Sequence, residues 1–393
     1  MKLPDLRDPD FVQNPFPTYA AARTAGPVLW WDAMNMHAAF DHATVNALLR
    51  DKRFGREIPS ELAQPVPDHL QAFDAVERHS MLDLEPPRHT RLRGLVLRAF
   101  TGRRIGALQP DLNEICDDLL AGMKGTDTLD LIPEYCQLVP VRVIARLLGV
   151  PEDMGPDLLR WSTAMVAMYQ ASRDRKTEDA ANTAAQEFAD FLRGYVEERR
   201  KDPRDDLITE LIAAEEDGEK LTADELIGTC VLLLNAGHEA TVHSMGNAVA
   251  CLLENQTTPE ALSDTRIEAT VEEVLRFKPP LHVFTRYAYE DTTLGAVSLK
   301  RGDQVALVLS AAGRDPAVWD MPDTFRPERP VKPHVAFGGG LHFCVGAKLA
   351  RMELQVGLQK LFTAFPDLSL AGMPHHADSY HFHKFDALQV NLR

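Results

Sequence analysis

The stretch that decides the fold is Phe337-Gly338-Gly339-Gly340-Leu341-His342-Phe343-Cys344-Val345-Gly346, a glycine-rich turn that carries one cysteine. Beyond it, apolar residues recur at helical spacing at Leu349, Met352 and Val356, which predicts an amphipathic helix starting just after the cysteine. At a helix N-terminus, free backbone N–H groups and the helix dipole favour a thiolate over a thiol. The glycines let a flat, bulky ligand approach the backbone without Cβ clashes. A lone thiolate on such a loop suits axial ligation of haem iron.

The loop resembles the haem-binding signature of the cytochrome P450 family: Phe, two residues, Gly, one, His or Arg, one, Cys, one, Gly. Every fixed position is matched, by Phe337, Gly340, His342, Cys344 and Gly346. At ordinary residue frequencies, a chance match in a chain this long has odds on the order of 1 in 10,000. The plain alternative is an inert, buried cysteine in a helix-capping turn.

The resemblance implies a mainly α fold with small β-sheets, formed as a single haem domain over residues 1–393. It also implies haem b as cofactor, dioxygen as co-substrate and Cys344 as the ligand of the haem iron. The loop residues Phe337, Gly338 and Gly346 would then lie against the haem.

Composition limits the other possibilities. The chain has 393 residues, of which 45% are hydrophobic, so it can bury a large core, and we find no linker, repeat or low-complexity tract. Its cysteines are few and scattered, without a C-x-x-C pair, which argues against disulfides or zinc and for a reducing compartment; they are Cys116, Cys136, Cys230, Cys251 and Cys344. No signal peptide or membrane span is evident. We therefore expect a soluble, cytoplasmic protein, and the formal net charge of −16 argues against nucleic acid as a partner.

A second group of residues lies within a long apolar helix. The run Thr222-Ala223-Asp224-Glu225 has the capping-box pattern, and the helix is expected to reach Glu254. Within it, Ala236-Gly237-His238-Glu239-Ala240-Thr241 combines a glycine with an acid in an apolar stretch. The plain interpretation is a helix–helix contact at the glycine and a solvent-facing acid. The run also resembles the family's oxygen-binding kink, a widened turn beside the iron. That resemblance implies haem contact for Ala236 and oxygen activation for Gly237, Glu239, Ala240 and Thr241.

One position in this run departs from the family pattern. The family usually carries a threonine after the acid, whereas this chain has Ala240 there and Thr241 one place later. One residue turns a helix by about 100°, so Thr241 cannot simply replace that threonine. We hypothesise that protons arrive through ordered water, with Glu239 as relay and a substrate group completing the path. The hypothesis fails if Ala240→Thr and Glu239→Gln both leave activity unchanged.

A third motif has a structural role by resemblance. Glu273 and Arg276 are three residues apart and can pair on a helix that ends at Pro279 and Pro280. The family extends this Glu-x-x-Arg pair to a further arginine near the haem loop, and Arg329 is the best match. By the same resemblance, the haem propionates are held by His89, Arg93, Arg286 and His342.

The segment from Arg88 to Arg104 contains six arginines and no acid. It is either a solvated helix face or a positive patch that steers an acidic electron donor onto the thiolate side of the haem. Resemblance favours the second interpretation. The chain has no Rossmann fingerprint and no appended flavin or ferredoxin region. We therefore expect electrons from a separate ferredoxin and its reductase.

The expected activity is monooxygenation of a small or medium, largely apolar molecule. By position in the family, the pocket is formed by Leu232, Asn235, His282, Val283, Phe284 and Phe382. Three alternatives remain open: a peroxygenase driven by hydrogen peroxide, a non-catalytic haem sensor or electron carrier, and a cysteine hydrolase using Cys344 with His342.

Overall fold

The computed structural model describes residues 1–170, 173–216, 219–379 and 381–393, and most of their regular structure is helical. The mainly α class with small sheets is therefore confirmed. The described α-helices are α1 (Pro9–Gln13), α2 (Phe16–Ala25), α3 (His42–Leu48), α4 (Gln71–Glu77), α5 (Arg88–Ala99), α6 (Gly102–Ala107), α7 (Gln109–Met123), α8 (Leu138–Leu148), α9 (Gly155–Val166), α10 (Arg175–Lys201), α11 (Leu207–Ala213), α12 (Ala223–Glu254), α13 (Ile267–Phe277), α14 (Leu309–Ala312) and α15 (Ala347–Ala364).

The strands form four small sheets in the described part of the chain. They are β1 (Val28–Trp31), β2 (Met36–Ala39), β3 (Phe54–Gly55), β4 (Thr128–Asp130), β5 (Glu215–Glu216), β6 (Glu219–Lys220), β7 (Val283–Ala288), β8 (Thr292–Leu294), β9 (Val297–Leu299), β10 (Gln304–Val308), β11 (Ser369–Leu370) and β12 (Gln389–Asn391). The largest sheet has the order β1-β2-β10-β7-β3, in which β10 is parallel to β2 and antiparallel to β7. This sheet places Arg286 of β7 opposite Val305.

Helix α12 lies at the centre of the main apolar core. The expected capping box is present, because the Thr222 hydroxyl accepts from the Glu225 N–H and the Glu225 carboxylate accepts from the Thr222 N–H. The predicted end at Glu254 is confirmed too. In the described part of the chain, no helix combines the length and apolar character that crossing a membrane requires.

Helix α15 packs beside α12 in the same direction. A Cβ added at Gly357 would lie 2.5 Å from the Met245 methyl carbon, and four residues earlier Glu353 interacts with the Thr241 hydroxyl. From Glu353 to Gly357 the contacts advance four residues along α15, and from Thr241 to Met245 they advance four residues along α12. The two helices therefore run in the same direction, and the beginning of α15 lies toward the N-terminal half of α12. The loop that carries Cys344 therefore meets the part of α12 that precedes Thr241.

The interpretation of the arginine-rich segment 88–104 as one helix is wrong. The arginine-rich segment is two helices, because α5 stops at Ala99 and Thr101 caps α6 by accepting from the Arg104 N–H. The Thr101 side chain thus competes with helix continuation, as threonine often does at N-caps.

Candidate active site

The cysteine loop is shaped by two glycines with positive φ. Gly338 has φ +70° and Gly340 has φ +63°, a region that side chains rarely adopt. A Cβ on Gly340 would also collide with the carbonyl oxygen of Leu49 just after α3. The Cys344 N–H donates to the Phe337 carbonyl oxygen over 3.0 Å and closes the loop. The loop is therefore docked on α3 before α15 begins.

Cys344 differs from the other four cysteines because its side chain is accessible, while theirs are buried. Protein still surrounds the sulfur closely enough that burial raises the pKa of the Cys344 thiol. The Gly346 N–H and the Arg93 guanidinium oppose that rise without cancelling it. The backbone N–H groups at the start of α15 favour the thiolate, as expected, but burial outweighs them. A bound metal ion deprotonates a coordinating thiol outright.

Part of α12 faces open space inside the protein. Leu232, Ala236 and Ala240 follow each other every fourth residue, and Ala236 is exposed while the other two are half-buried. Most of the surrounding helix is buried. Since residues four apart share one helix face, these three form an open stripe. The stripe lies in the half of α12 toward which the Cys344 loop points.

One of the predicted propionate ligands, Arg286, is a buried cation without an acidic ion-pair partner among the described residues. Arg286 is 2% exposed, and its described hydrogen bond goes to the carbonyl of the adjacent Thr285. Among the described residues, no carboxylate lies within ion-pair distance of it. Burial, followed by the positive charge of Arg56, lowers the pKa of Arg286 to about 10. Such an uncompensated cation fits a ligand that brings its own carboxylates.

The other predicted propionate ligands are partly engaged. The His89 ring lies 4.5 Å from the His342 ring, and its buried Nδ1 has no described partner. His342 instead shares a 2.9 Å hydrogen bond with Glu85. Arg93 donates to the Phe343 carbonyl oxygen over 2.6 Å. An accessible thiol, an open stripe and unpaired polar groups together fit an anionic metal porphyrin.

The run for which a kink was expected lies well inside α12. The helix is continuous through the run 236–241, and a Cβ on Gly237 would lie 3.1 Å from the Ile144 side chain of α8. Close packing against α8 therefore explains the glycine, as the plain interpretation held. Glu239, however, is 9% exposed rather than solvent-facing. The Thr241 hydroxyl donates back to the Gly237 carbonyl over 3.5 Å.

Glu239 lies in a buried polar cluster. The Thr163 hydroxyl of α9 donates to its Oε1 over 3.2 Å, and the His243 Nε2 lies 3.2 Å from its Oε2. The His238 Nε2 is 3.6 Å from Oε1. Burial raises the pKa of Glu239, but the two imidazoles outweigh it and hold that pKa well below its ordinary value. The carboxyl is therefore ionised.

A second acid near this helix was missed from the sequence. Glu353 of α15 is 1% exposed, and neither of its carboxyl oxygens satisfies the distance and angle of a regular hydrogen bond. Burial raises its pKa well above the ordinary value, although the nearby Thr241 hydroxyl opposes this. This environment therefore favours the protonated form of Glu353. The feature of the sequence that could have identified this residue is an acid nine residues after Cys344, within the predicted amphipathic helix.

The structure divides the six predicted pocket residues. Leu232 belongs to the open stripe, the Asn235 Oδ1 is buried without a described partner, and the Phe382 ring lies 5.0 Å from the His243 ring. The other three have contacts outside α12: His282 bonds Tyr19 and stacks on His383, Val283 packs against the N-terminal apolar cluster, and Phe284 packs against Gly338 of the cysteine loop. Their place in the pocket stays a prediction.

The Glu-x-x-Arg residues are brought together in the interior. Arg276 donates to both carboxylate oxygens of Glu273 over 2.7 and 2.8 Å. Arg329 donates to the same carboxylate over 3.1 Å. All three are at most 7% exposed, so the pairs are shielded from water.

Much of the arginine-rich segment is already paired with acids. Arg91 bonds Glu225, Arg104 bonds Asp205 and Glu210, and Arg88 lies 3.5 Å from Glu57. The segment is therefore less positive than its sequence indicates, and its capacity to steer an acidic partner is reduced.

Comparisons with known proteins agree with this site. The family model described as Cytochrome P450 matches residues 153–264 and 266–371. The chain is 37% identical to the Vitamin D(3) 25-hydroxylase of Pseudonocardia autotrophica, covering 93% of this chain and 90% of that protein. It is 34% identical to the 6-deoxyerythronolide B hydroxylase of Saccharopolyspora erythraea, with 94% and 93% covered. The solved structure of P450BioI with a fatty-acyl carrier protein aligns with a TM-score of 0.92 and 30% identity, over 98% of this chain and 99% of that one.

The chain belongs to the cytochrome P450 family. It is accordingly a monooxygenase, an oxidoreductase of a family that uses thiolate-bound haem, dioxygen, redox partners and small-molecule substrates. The sensor and hydrolase alternatives are therefore set aside.

Proposed function

We propose that this enzyme inserts one oxygen atom from dioxygen into a small or medium, largely apolar molecule, using haem b bound through Cys344. The observation that carries the proposal is the accessible Cys344 loop beside an open stripe on a buried helix. When bound, the haem supplies the redox chemistry, and thiolate ligation favours cleavage of the O–O bond.

The residues of this chain have distinct roles in holding the haem. Arg286 and His89 have polar groups free to bind its carboxylates, and Arg93 and His342 can join them by exchanging their present partners. The loop residues Phe337, Gly338 and Gly346 would lie against the haem together with Ala236. Glu273, Arg276 and Arg329 form the rigid support beneath the loop.

Two carboxyl groups of opposite charge state handle protons. Glu353 holds a proton in a dry environment, and the Thr241 hydroxyl beside it can pass that proton toward the open stripe. Glu239 is ionised between His238 and His243 and can orient an ordered water by accepting a hydrogen bond from it. Because the Ala240 side chain is small and carries no hydroxyl, it leaves space for an ordered water.

Electrons come from a separate ferredoxin and its reductase, which dock on the side of α5. Because several arginines there are paired, shape and apolar contact contribute more to docking than long-range steering. Leu97 is 47% exposed on α5 and Phe343 is 41% exposed in the cysteine loop; both supply such contact.

The location and the domain organisation follow from two further features. The five unpaired cysteines favour a reducing cytoplasm. One apolar cluster that includes both Val76 and Leu392 supports a single haem domain.

The test is the absorption spectrum of the reduced, carbon-monoxide-bound protein. The wild type is expected to show the long-wavelength Soret band of thiolate-bound haem, and Cys344→Ser is expected to lose it. Cys251→Ser is the matched control, because Cys251 is buried away from the loop, and it should retain the band. A colourless wild type, or an unchanged band in Cys344→Ser, contradicts the proposal. Equal turnover with peroxide alone and with ferredoxin would favour the peroxygenase alternative.

A further inference from the structure

Three separate elements meet at a carboxyl group that the mechanism does not use. Glu77 ends α4, Tyr169 follows α9, and His381 belongs to the C-terminal segment; all three are half-buried. The Tyr169 hydroxyl donates to the Glu77 Oε2 over 2.9 Å. The Tyr169 ring stacks on the His381 ring with centroids 5.6 Å apart. A tyrosine and a histidine thus fix the carboxyl in one position.

This acidic corner, formed by Glu77, Tyr169 and His381, borders the open stripe. A Cβ on Gly228 would lie 3.0 Å from the Val76 carbonyl oxygen, so the end of α4 rests on α12 one turn before Leu232. On the other side, the His381 ring contacts Phe382, and Phe382 contacts His243. The corner therefore lies beside the Leu232 end of the open stripe, and the His381–Phe382–His243 contacts connect it to the part of α12 beyond Ala240.

The corner offers an acceptor rather than a donor. Among the described residues, no donor or cation is paired with the Glu77 Oε1. Burial raises the pKa of Glu77 to about 7. The hydrogen bond from Tyr169 opposes this rise, and the negative charge of Asp83 adds to it. The nearby cation is Arg56, but its guanidinium donates to Asp83 over 2.8 and 3.0 Å. A bound cation would favour the ionised carboxyl.

We propose that Glu77 determines substrate specificity by binding a protonated amine carried by an otherwise apolar substrate. The proposal rests on the proposed function and names its substrate class. The apolar body would lie along Leu232 and Ala236, and the ammonium would donate to Oε1 of Glu77. A carboxylate at the same end of the substrate would face Glu77 and is disfavoured.

The test compares three twelve-carbon amphiphiles that differ only in the head group: N,N-dimethyldodecylamine, 1-dodecanol and dodecanoate. Dissociation constants are measured by calorimetry on the haem-loaded protein at about pH 8, where the amine is protonated. The amine is expected to bind at least about tenfold more tightly than the carboxylate, as a partly buried charge pair provides. Glu77→Gln should remove that preference. Asp74→Asn, one turn earlier on α4 and paired with Arg78, is the control and should keep it.

Tyr169→Phe removes the hydroxyl but not the charge, so it is expected to keep the amine preference. A loss as large as that of Glu77→Gln would assign the recognition to the hydroxyl and overturn the proposal. Equal or tighter binding of dodecanoate to the wild type would overturn it as well. Failure of the proposed function is distinguishable, because it shows as a missing thiolate Soret band, whatever the order of the three dissociation constants.

Discussion

Replacing Arg286 with methionine should move two properties of the protein in opposite directions. In the haem-free fold the guanidinium is buried and its pKa falls to about 10. It is protonated at neutral pH in both the folded and the unfolded chain, so the lower pKa is a cost of folding. One pKa unit is worth about 1.4 kcal/mol, which makes this cost about 3 kcal/mol. The cost is constant below about pH 10, decreases as the pH rises above the folded pKa, and is gone only above the pKa of arginine in the unfolded chain.

Methionine keeps the apolar stem of the side chain and removes the charge. The haem-free variant is therefore expected to be more stable by about 2–3 kcal/mol, measured by urea unfolding with tryptophan fluorescence. Loss of a charge-assisted hydrogen bond should weaken haem binding by about 1.5–3 kcal/mol, or roughly tenfold to hundredfold. Haem affinity is measured by transfer of haem to an excess of a haem-free globin.

Arg314 provides the matched control. Burial lowers its pKa to about 10 as well, but it donates twice to the Phe277 carbonyl oxygen, over 2.7 and 3.2 Å. Arg314→Met leaves that carbonyl unpaired and should destabilise the haem-free protein by about 1–3 kcal/mol. If Arg286→Met is destabilised to the same extent, or binds haem as tightly as the wild type, the reasoning about an uncompensated cation is refuted.

Two other substitutions test buried charge in the interior. Glu273→Gln leaves Arg276 and Arg329 buried without a charged partner and should lower the free energy of unfolding by about 3 kcal/mol. The control, Asp190→Asn in an exposed helical ion pair, should change that free energy by less than about 0.5 kcal/mol. Similar losses for the two variants in urea unfolding would contradict the assignment. Glu353→Gln should stabilise the fold at about pH 8 but not at about pH 4, since burial raises the pKa of this acid and the unfolded chain ionises it above about pH 4.3. Melting temperatures of both proteins across that range check this prediction, and a difference that does not change with pH would contradict it.

Predictions from the sequence succeeded where the signal is local. The capping box at Thr222 needs only four consecutive residues, and the structure contains both of its hydrogen bonds. The cysteine loop is similar, because positive φ at Gly338 and Gly340 is a property of the turn itself. Such features follow from backbone geometry and neighbouring side chains.

Several features that depend on distant partners were not predicted. Gly237 is explained by Ile144, which lies 93 positions earlier in the chain and approaches only after α8 packs on α12. The burial that favours the protonated form of Glu353 depends on the packing of α12 and α15 around it. Acids far along the chain neutralise Arg91 and Arg104. In each case the residue type was visible, but its environment was created by tertiary packing.

The packing of α15 on α12 links the haem ligand to the proton path. Cys344 precedes α15, and Glu353 lies seven residues into that helix, about 10 Å along its axis at 1.5 Å per residue. A Cβ on Gly357 would lie 2.5 Å from the methyl carbon at the end of the Met245 side chain, so an alanine there presses on α12 through Met245. A shift of α15 would move the thiol and the Glu353 carboxyl together. Gly357→Ala, one turn beyond Glu353, should for this reason impair haem binding and proton delivery in the same variant, whereas Gly106→Ala, with nothing within 4 Å of its Cβ, should impair neither.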